Sequence, residues 1–113
     1  MKKQLAILGS TGSIGKQTLD VVRANSERFE VYALTAHRSI DLLAEQAQEF
    51  RPEVVCIADE SLLEPLRSRL EGLDCKVWGG GEAIAEMVSL PSIDVVVAAM
   101  VGYAGLKPTI EAI

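Results

Sequence analysis

The sequence predicts an α/β fold of three layers, with helices on both faces of a mostly parallel sheet, and three observations carry that expectation. Short apolar runs alternate with amphipathic stretches along the chain, the order of strand–helix–strand units. The strand candidates are near-continuous apolar runs, as strands buried on both faces require. Glycine or proline punctuates the junctions, at Gly9, Pro52, Gly72, Pro91 and Gly102. A chain of 113 residues is one domain with one core.

Each element has its own local signal. Leu5-Ala6-Ile7-Leu8 is a buried strand ended by Gly9. Ile14, Thr18, Val21 and Val22 recur at helical spacing, which predicts a helix from Ser13, as N-cap, to about Asn25. Phe29 to Thr35 is rich in β-branched and aromatic residues and reads as a second strand. Ile40, Leu43, Ala44, Ala47 and Phe50 mark a second helix, capped by Ser39, and Glu53 to Ala58 a third strand. Leu62, Leu63, Leu66 and Leu70 give a third helical face. Cys75 to Trp78 is a short strand, and Gly79-Gly80-Gly81 a turn. Ala83, Ile84, Met87 and Val88 form a fourth helix, and Ile93 to Val101 the most apolar strand. Pro108 opens a further helix at its first turn. Because the chain ends inside that helix, the fold is expected to be truncated at its carboxyl end.

Composition narrows the function. A hydrophobic fraction of 49% with 24% charged residues suits a soluble globular domain. No run approaches the roughly 20 apolar residues of a membrane span, and Met1 to Gln4 does not open a signal peptide. No membrane partner is expected, and a cytoplasmic location is. A net charge of −5 disfavours nucleic-acid partners. It leaves room for one small anion on a local nest of backbone N–H groups. Cys56 and Cys75 form no Cys-x-x-Cys pair and read as reduced, packed thiols.

Chemistry enters with Gly9-Ser10-Thr11-Gly12-Ser13-Ile14-Gly15, between the first strand and the first helix. Gly9 lets the chain turn off the strand, Gly12 lets a diphosphate approach the backbone, and Gly15 lets the helix pack against the sheet. The N–H groups of the first turn, from Thr11 to Ile14, then face an anion with the helix dipole behind them. This is a Rossmann-like dinucleotide loop, spaced Gly-x-x-Gly-x-x-Gly. A simple turn in another doubly wound protein would have the same pattern. A Walker A loop fails at two positions, Ser10 and Gln17.

The residues after the second strand select the cofactor. An acid there would take the ribose 2′-hydroxyl of NAD. This chain instead has His37-Arg38-Ser39, with no acid before Asp41. The Arg38 guanidinium suits a 2′-phosphate, Ser39 can add a hydroxyl or backbone N–H, and His37 can lie against adenine or phosphate. NADP is expected over NAD. Ala99 and Met100, at the carboxyl end of the most apolar strand, complete the expected cofactor edge.

Two segments, ILGSTGSIGKQTLDVV and AAMVGYAGLKPT, make the sequence recognisable. Across essentially its whole length it resembles the amino terminus of the 1-deoxy-D-xylulose 5-phosphate reductoisomerase family, of non-mevalonate isoprenoid biosynthesis. The resemblance implies that Thr11, Gly12, Ser13 and Ile14 hold the cofactor and that His37, Arg38 and Ser39 form its 2′-phosphate loop. Many members have Gly-Lys-Asn at those last three positions, and a small residue at Tyr103. It implies isomerisation of the phosphosugar 1-deoxy-D-xylulose 5-phosphate and reduction by NADPH to 2-C-methyl-D-erythritol 4-phosphate, with Mg or Mn bound by carboxylates from a later part of the chain. It implies a homodimer at full length. Residues 1–113 are then an incomplete NADP-binding domain, inactive alone, holding no catalytic residue and no metal ligand. Alternatives are the dinucleotide domain of another NADP-dependent reductase, a non-catalytic nucleotide-binding module, and an interaction domain with no dinucleotide affinity.

Overall fold

The computed structural model describes residues 2–98 and 110–112. Its strands are β1 (Lys3–Leu8), β2 (Phe29–Ala36), β3 (Val54–Ile57), β4 (Lys76–Gly79), β5 (Val95–Ala98) and β6 (Ile110–Ala112). Its α-helices are α1 (Ser13–Ala24), α2 (Ile40–Phe50), α3 (Leu63–Arg69) and α4 (Gly81–Val88). A short 3₁₀ turn over Glu60–Leu62 leads into α3. The sheet order is β4-β3-β2-β1-β5-β6, parallel from β4 through β5. The expected α/β architecture and mostly parallel sheet are therefore present.

Handedness explains the layers. From β1 to β4 the strands advance in one direction, so right-handed crossovers place α1, α2 and α3 on one face. The chain then returns past β1 to β5, and the same rule places α4 on the opposite face. The parity of the strands agrees. Leu5, Ile7, Val55 and Ile57 pack with Leu19, Leu43 and Leu66 from α1, α2 and α3. Ala6, Leu8, Val54 and Cys56 face the other way and pack with Met87 of α4. The reversal of strand order falls between β1 and β5, and open α/β sheets bind ligands at the carboxyl ends of strands flanking such a switch.

The phase of α1 differs from expectation. Gly12 is the N-cap and Ser13 the first helical residue. The buried stripe is Gly15, Leu19 and Val22, leaving Ile14 38% and Val21 54% exposed. The stripe opens on a glycine, which carries no apolar signal, so the visible hydrophobic pattern is displaced by one residue. Ser39 is the N-cap of α2, but its side chain makes no capping bond. Gly79 closes β4, while Gly80 caps α4 with φ of +97°.

The segment expected to continue as a helix after Pro108 also departs. Ile110–Ala112 is a strand, antiparallel to β5, with Val97 opposite Ile110 and Val95 opposite Ala112. The free edge of β5 offers N–H and C=O groups to be paired, and no local helical pattern contains that information. The expected strand residues Ala99, Met100 and Val101, and Tyr103 after them, lie outside the described residues.

Both cysteines are free thiols. Burial pushes the Cys56 thiol up to about 12, so it stays protonated and behaves as a small apolar core residue. No helix among the described residues is long and apolar enough to cross a membrane.

Candidate functional site

The carboxyl ends of β1, β2 and β3 are stitched together by their backbones. The Gly9 N–H reaches the carbonyl and the hydroxyl of Thr35 at 3.1 and 3.0 Å, and the Ser10 N–H donates to the same carbonyl at 2.9 Å. This ties the glycine loop to the strand that leads directly into His37-Arg38-Ser39. One strand further, the Asp59 N–H donates to the His37 carbonyl at 3.0 Å.

Ser10 and Gln46 form the floor of the loop, and both are buried. The Ser10 hydroxyl donates to Gln46 Oε1 at 2.7 Å, and Gln46 Nε2 returns a bond to the Ser10 carbonyl at 2.9 Å. Gln46 is three residues beyond Leu43 and so shares the inward face of α2. A glutamine on an apolar stripe is the sequence signal for this contact, and hydrophobic patterning alone passes over it. In Gln46→Leu the Ser10 hydroxyl can turn to the Thr35 carbonyl, 3.3 Å away, but the Ser10 carbonyl is left unbonded by side chains. The expected cost is about 1–3 kcal/mol, read as a lower urea midpoint at constant m-value. An unchanged midpoint would show the loop to be held by Thr35 alone.

The three glycines of the loop are there for different reasons. Gly9 has φ of +78°, a left-handed turn that residues with a Cβ avoid. Gly15 lies against the loop itself: a Cβ there would stand 2.3 Å from the Gly9 carbonyl oxygen and 2.6 Å from Ser10 Cα. Gly12 is different. Its φ of −80° suits any residue, and a Cβ there would meet only the Gly9 oxygen, at an ordinary 3.6 Å. The fold does not require glycine at position 12.

That position is the exposed start of α1. The Gly12 N–H closes the turn onto the Gly9 carbonyl at 3.1 Å. No side chain caps the helix, and Gly12, Ser13 and Ile14 are exposed while Thr11 is half-buried. First-turn N–H groups lack partners within a helix, so Ser13 and Ile14 present donors outward with the positive end of the dipole behind them. Such an arrangement binds phosphate groups.

His37, Arg38 and Ser39 are all exposed on the neighbouring loop. Sequence reasoning finds no acid near Arg38 before Asp41. The structure brings one from the end of β3: Arg38 Nε lies 3.2 Å from Asp59 Oδ2. Asp59 also caps the 3₁₀ turn, accepting the Ser61 N–H at 3.0 Å and the Ser61 hydroxyl at 2.6 Å. The two Ser61 bonds, aided by the charges of Arg38 and His37, hold the Asp59 carboxyl below its usual range. The signal for Asp59 is its place directly after a strand adjacent to β2, which only the sheet order reveals. Asp41 instead pairs with Arg69 of α3.

Other charges are paired among themselves. Arg23 bridges Asp20 and Glu49 along the seam between α1 and α2, and its guanidinium lies over the Phe50 ring at 5.1 Å. Among the described residues, no three His, Cys, Asp or Glu side chains are grouped so as to hold a metal ion.

The chain is similar to known proteins in sequence and in fold. The family model for 1-deoxy-D-xylulose 5-phosphate reductoisomerase matches residues 5–113. A curated protein of that description from Porphyromonas gingivalis is 57% identical over the whole chain, which spans 29% of the relative's length. A solved Zymomonas mobilis reductoisomerase in complex with NADPH superposes with a TM-score of 0.84 at 35% identity, over 88% of this chain and 26% of its own. A solved DOX-P reductoisomerase in complex with magnesium gives a TM-score of 0.87 at 38% identity, over 95% of this chain and 27% of its own.

Proposed function

The chain belongs to the 1-deoxy-D-xylulose 5-phosphate reductoisomerase family, and from that premise we propose that it forms the NADPH-binding part of an enzyme that isomerises and reduces 1-deoxy-D-xylulose 5-phosphate to 2-C-methyl-D-erythritol 4-phosphate. The observation that carries this reading is the uncapped first turn of α1 on a glycine loop pinned at the switch between β1 and β5. The glycine at position 12, which the fold does not demand, supports it further.

In this reading Gly9, Thr11, Gly12, Ser13 and Ile14 hold the diphosphate, through backbone N–H groups and the hydroxyls of Thr11 and Ser13. His37, Arg38 and Ser39 hold the 2′-phosphate, with the Arg38 guanidinium as its counter-charge. Ala99 and Met100 complete the cofactor-binding set in this reading. When bound, NADPH supplies the hydride for the reduction. The residues of this chain bind and orient; we assign none of them to proton transfer. Magnesium accompanies solved relatives; the described residues group no three donors that fit a divalent metal, and the proposal assigns Mg or Mn to carboxylates elsewhere in the protein. The full-length enzyme is read as a cytoplasmic homodimer acting on a phosphosugar.

The test is calorimetric titration of the full-length protein with NADPH and, separately, NADH. NADPH is expected to bind at least about tenfold more tightly, as one charge-assisted phosphate contact allows. Gly12→Ala should lose about 1 kcal/mol of stability through the poorer N-cap while losing far more of its dinucleotide affinity. A folded protein that binds neither dinucleotide would sink the reading, and a Gly12→Ala variant with native affinity would remove the diphosphate from this loop.

A further inference from the structure

We propose that Asp59 is a positioning residue for cofactor choice, holding Arg38 so that its guanidinium is presented to the 2′-phosphate. The inference rests on the NADPH reading above and deepens it by adding a residue from a third strand end.

Arg38 by itself is poorly fixed. Its side chain is 70% exposed on a loop, and a free arginine has many rotamers to lose on meeting a ligand. Asp59 is the better anchored partner. Its backbone is bonded to the carbonyl of His37, the residue before Arg38. Its Oδ1 is fixed by both donors of Ser61, which leaves Oδ2 for Arg38 Nε, at 3.2 Å. The Asp59 side chain is 26% exposed, well below that of its partner. The loop and the carboxylate are thus tied at two points, main chain and side chain.

The choice of nitrogen matters. A guanidinium is a planar fork with two usable edges. A contact through Nε leaves the edge formed by the two terminal amino groups for a second oxyanion, and a phosphate can accept both in parallel. A lysine ammonium is a point charge on a flexible stem and has no such second edge. An arginine at position 38 therefore suits a site where one oxyanion from the protein orients the group for another from the ligand. The Ser61 donors on Oδ1 also offset part of the carboxylate's charge, which reduces its repulsion of the incoming phosphate.

The decisive variant is Asp59→Asn, which removes the charge but keeps an oxygen to accept from Ser61 and so keeps the cap. In the full-length protein NADPH and NADH would be titrated into wild type and Asp59→Asn, with thermal unfolding as a control on the fold. The expected result is NADPH affinity lower by about fivefold, the upper end for an exposed ion pair, with NADH affinity and the unfolding midpoint near wild type. A merely structural role would move both cofactors together, and that outcome overturns the proposal. Tighter NADPH binding would also overturn it, by showing that Asp59 competes with the phosphate for Arg38. Wild-type preference for NADPH retained in Asp59→Asn overturns this proposal alone, whereas no preference in wild type overturns the cofactor reading and the proposal with it.

Discussion

Replacing Gly15 with alanine is expected to destabilise the protein by about 3 kcal/mol or more, at the upper end for overpacking. The added Cβ would come 2.3 Å from the Gly9 carbonyl oxygen and 2.7 Å from the Ser10 carbonyl carbon. These are backbone atoms, so no rotamer change relieves the contact. The loop cannot retreat easily either, because Gly9 and Ser10 are bonded to Thr35 and Ser10 is clasped by Gln46. The remaining relief is for α1 to lift off the sheet, which would loosen Leu19 and Val22 from the core they share with Ile7 and Leu34. Against a typical total of about 5–15 kcal/mol the loss is large, and urea unfolding would read it directly. Native stability in Gly15→Ala would mean that helix and loop separate at little cost, contrary to the packing described.

The second large effect is on binding. Arg38→Ala is expected to weaken NADPH by about 10- to 100-fold, the equivalent of about 1.5–3 kcal/mol for hydrogen bonds to a charged group, and to leave NADH nearly unchanged. The arginine is exposed, so its removal should barely affect the fold; its only ion pair among the described residues is with Asp59, and surface pairs contribute little to stability. Competitive displacement of NADPH in parallel with NADH separates the two affinities. An equal loss for both cofactors would place Arg38 on the shared part of the molecule and not on the 2′-phosphate.

Much of the architecture was legible in the sequence because parallel strands and amphipathic helices leave local patterns. β2 and α2 are found within a residue of where their β-branched run and apolar spacing place them. The turn at Gly9 and the close packing at Gly15 were legible for the same reason, since each needs a missing Cβ near the first strand end. The phase of α1 was hidden because Gly15, the first residue of the buried stripe, has no side chain to register. Two further features depend on contacts between distant segments. The pairing of Ile110–Ala112 with β5 is set by an open sheet edge, and the meeting of Arg38 with Asp59 by the adjacency of β2 and β3. Neither leaves a trace within a short window. Gln46 lies between these cases, since its inward position follows from helical spacing but its partner does not. The expected roles of Ala99 and Met100 fall outside the described residues.

The buried clasp between Ser10 and Gln46 has a consequence for how strongly any ligand of the loop can bind. A site that exists in its competent shape only part of the time shows a dissociation constant raised by the inverse of that fraction. Thr35 of β2 sets the Ser10 N–H and Gln46 of α2 sets its carbonyl, so the fold itself fixes the shape of the loop before any ligand arrives. In the proposed site, affinity is therefore linked to the integrity of a helix whose Gln46 need not touch the ligand, and sequence drift within α2 would be felt as a change in occupancy at the loop.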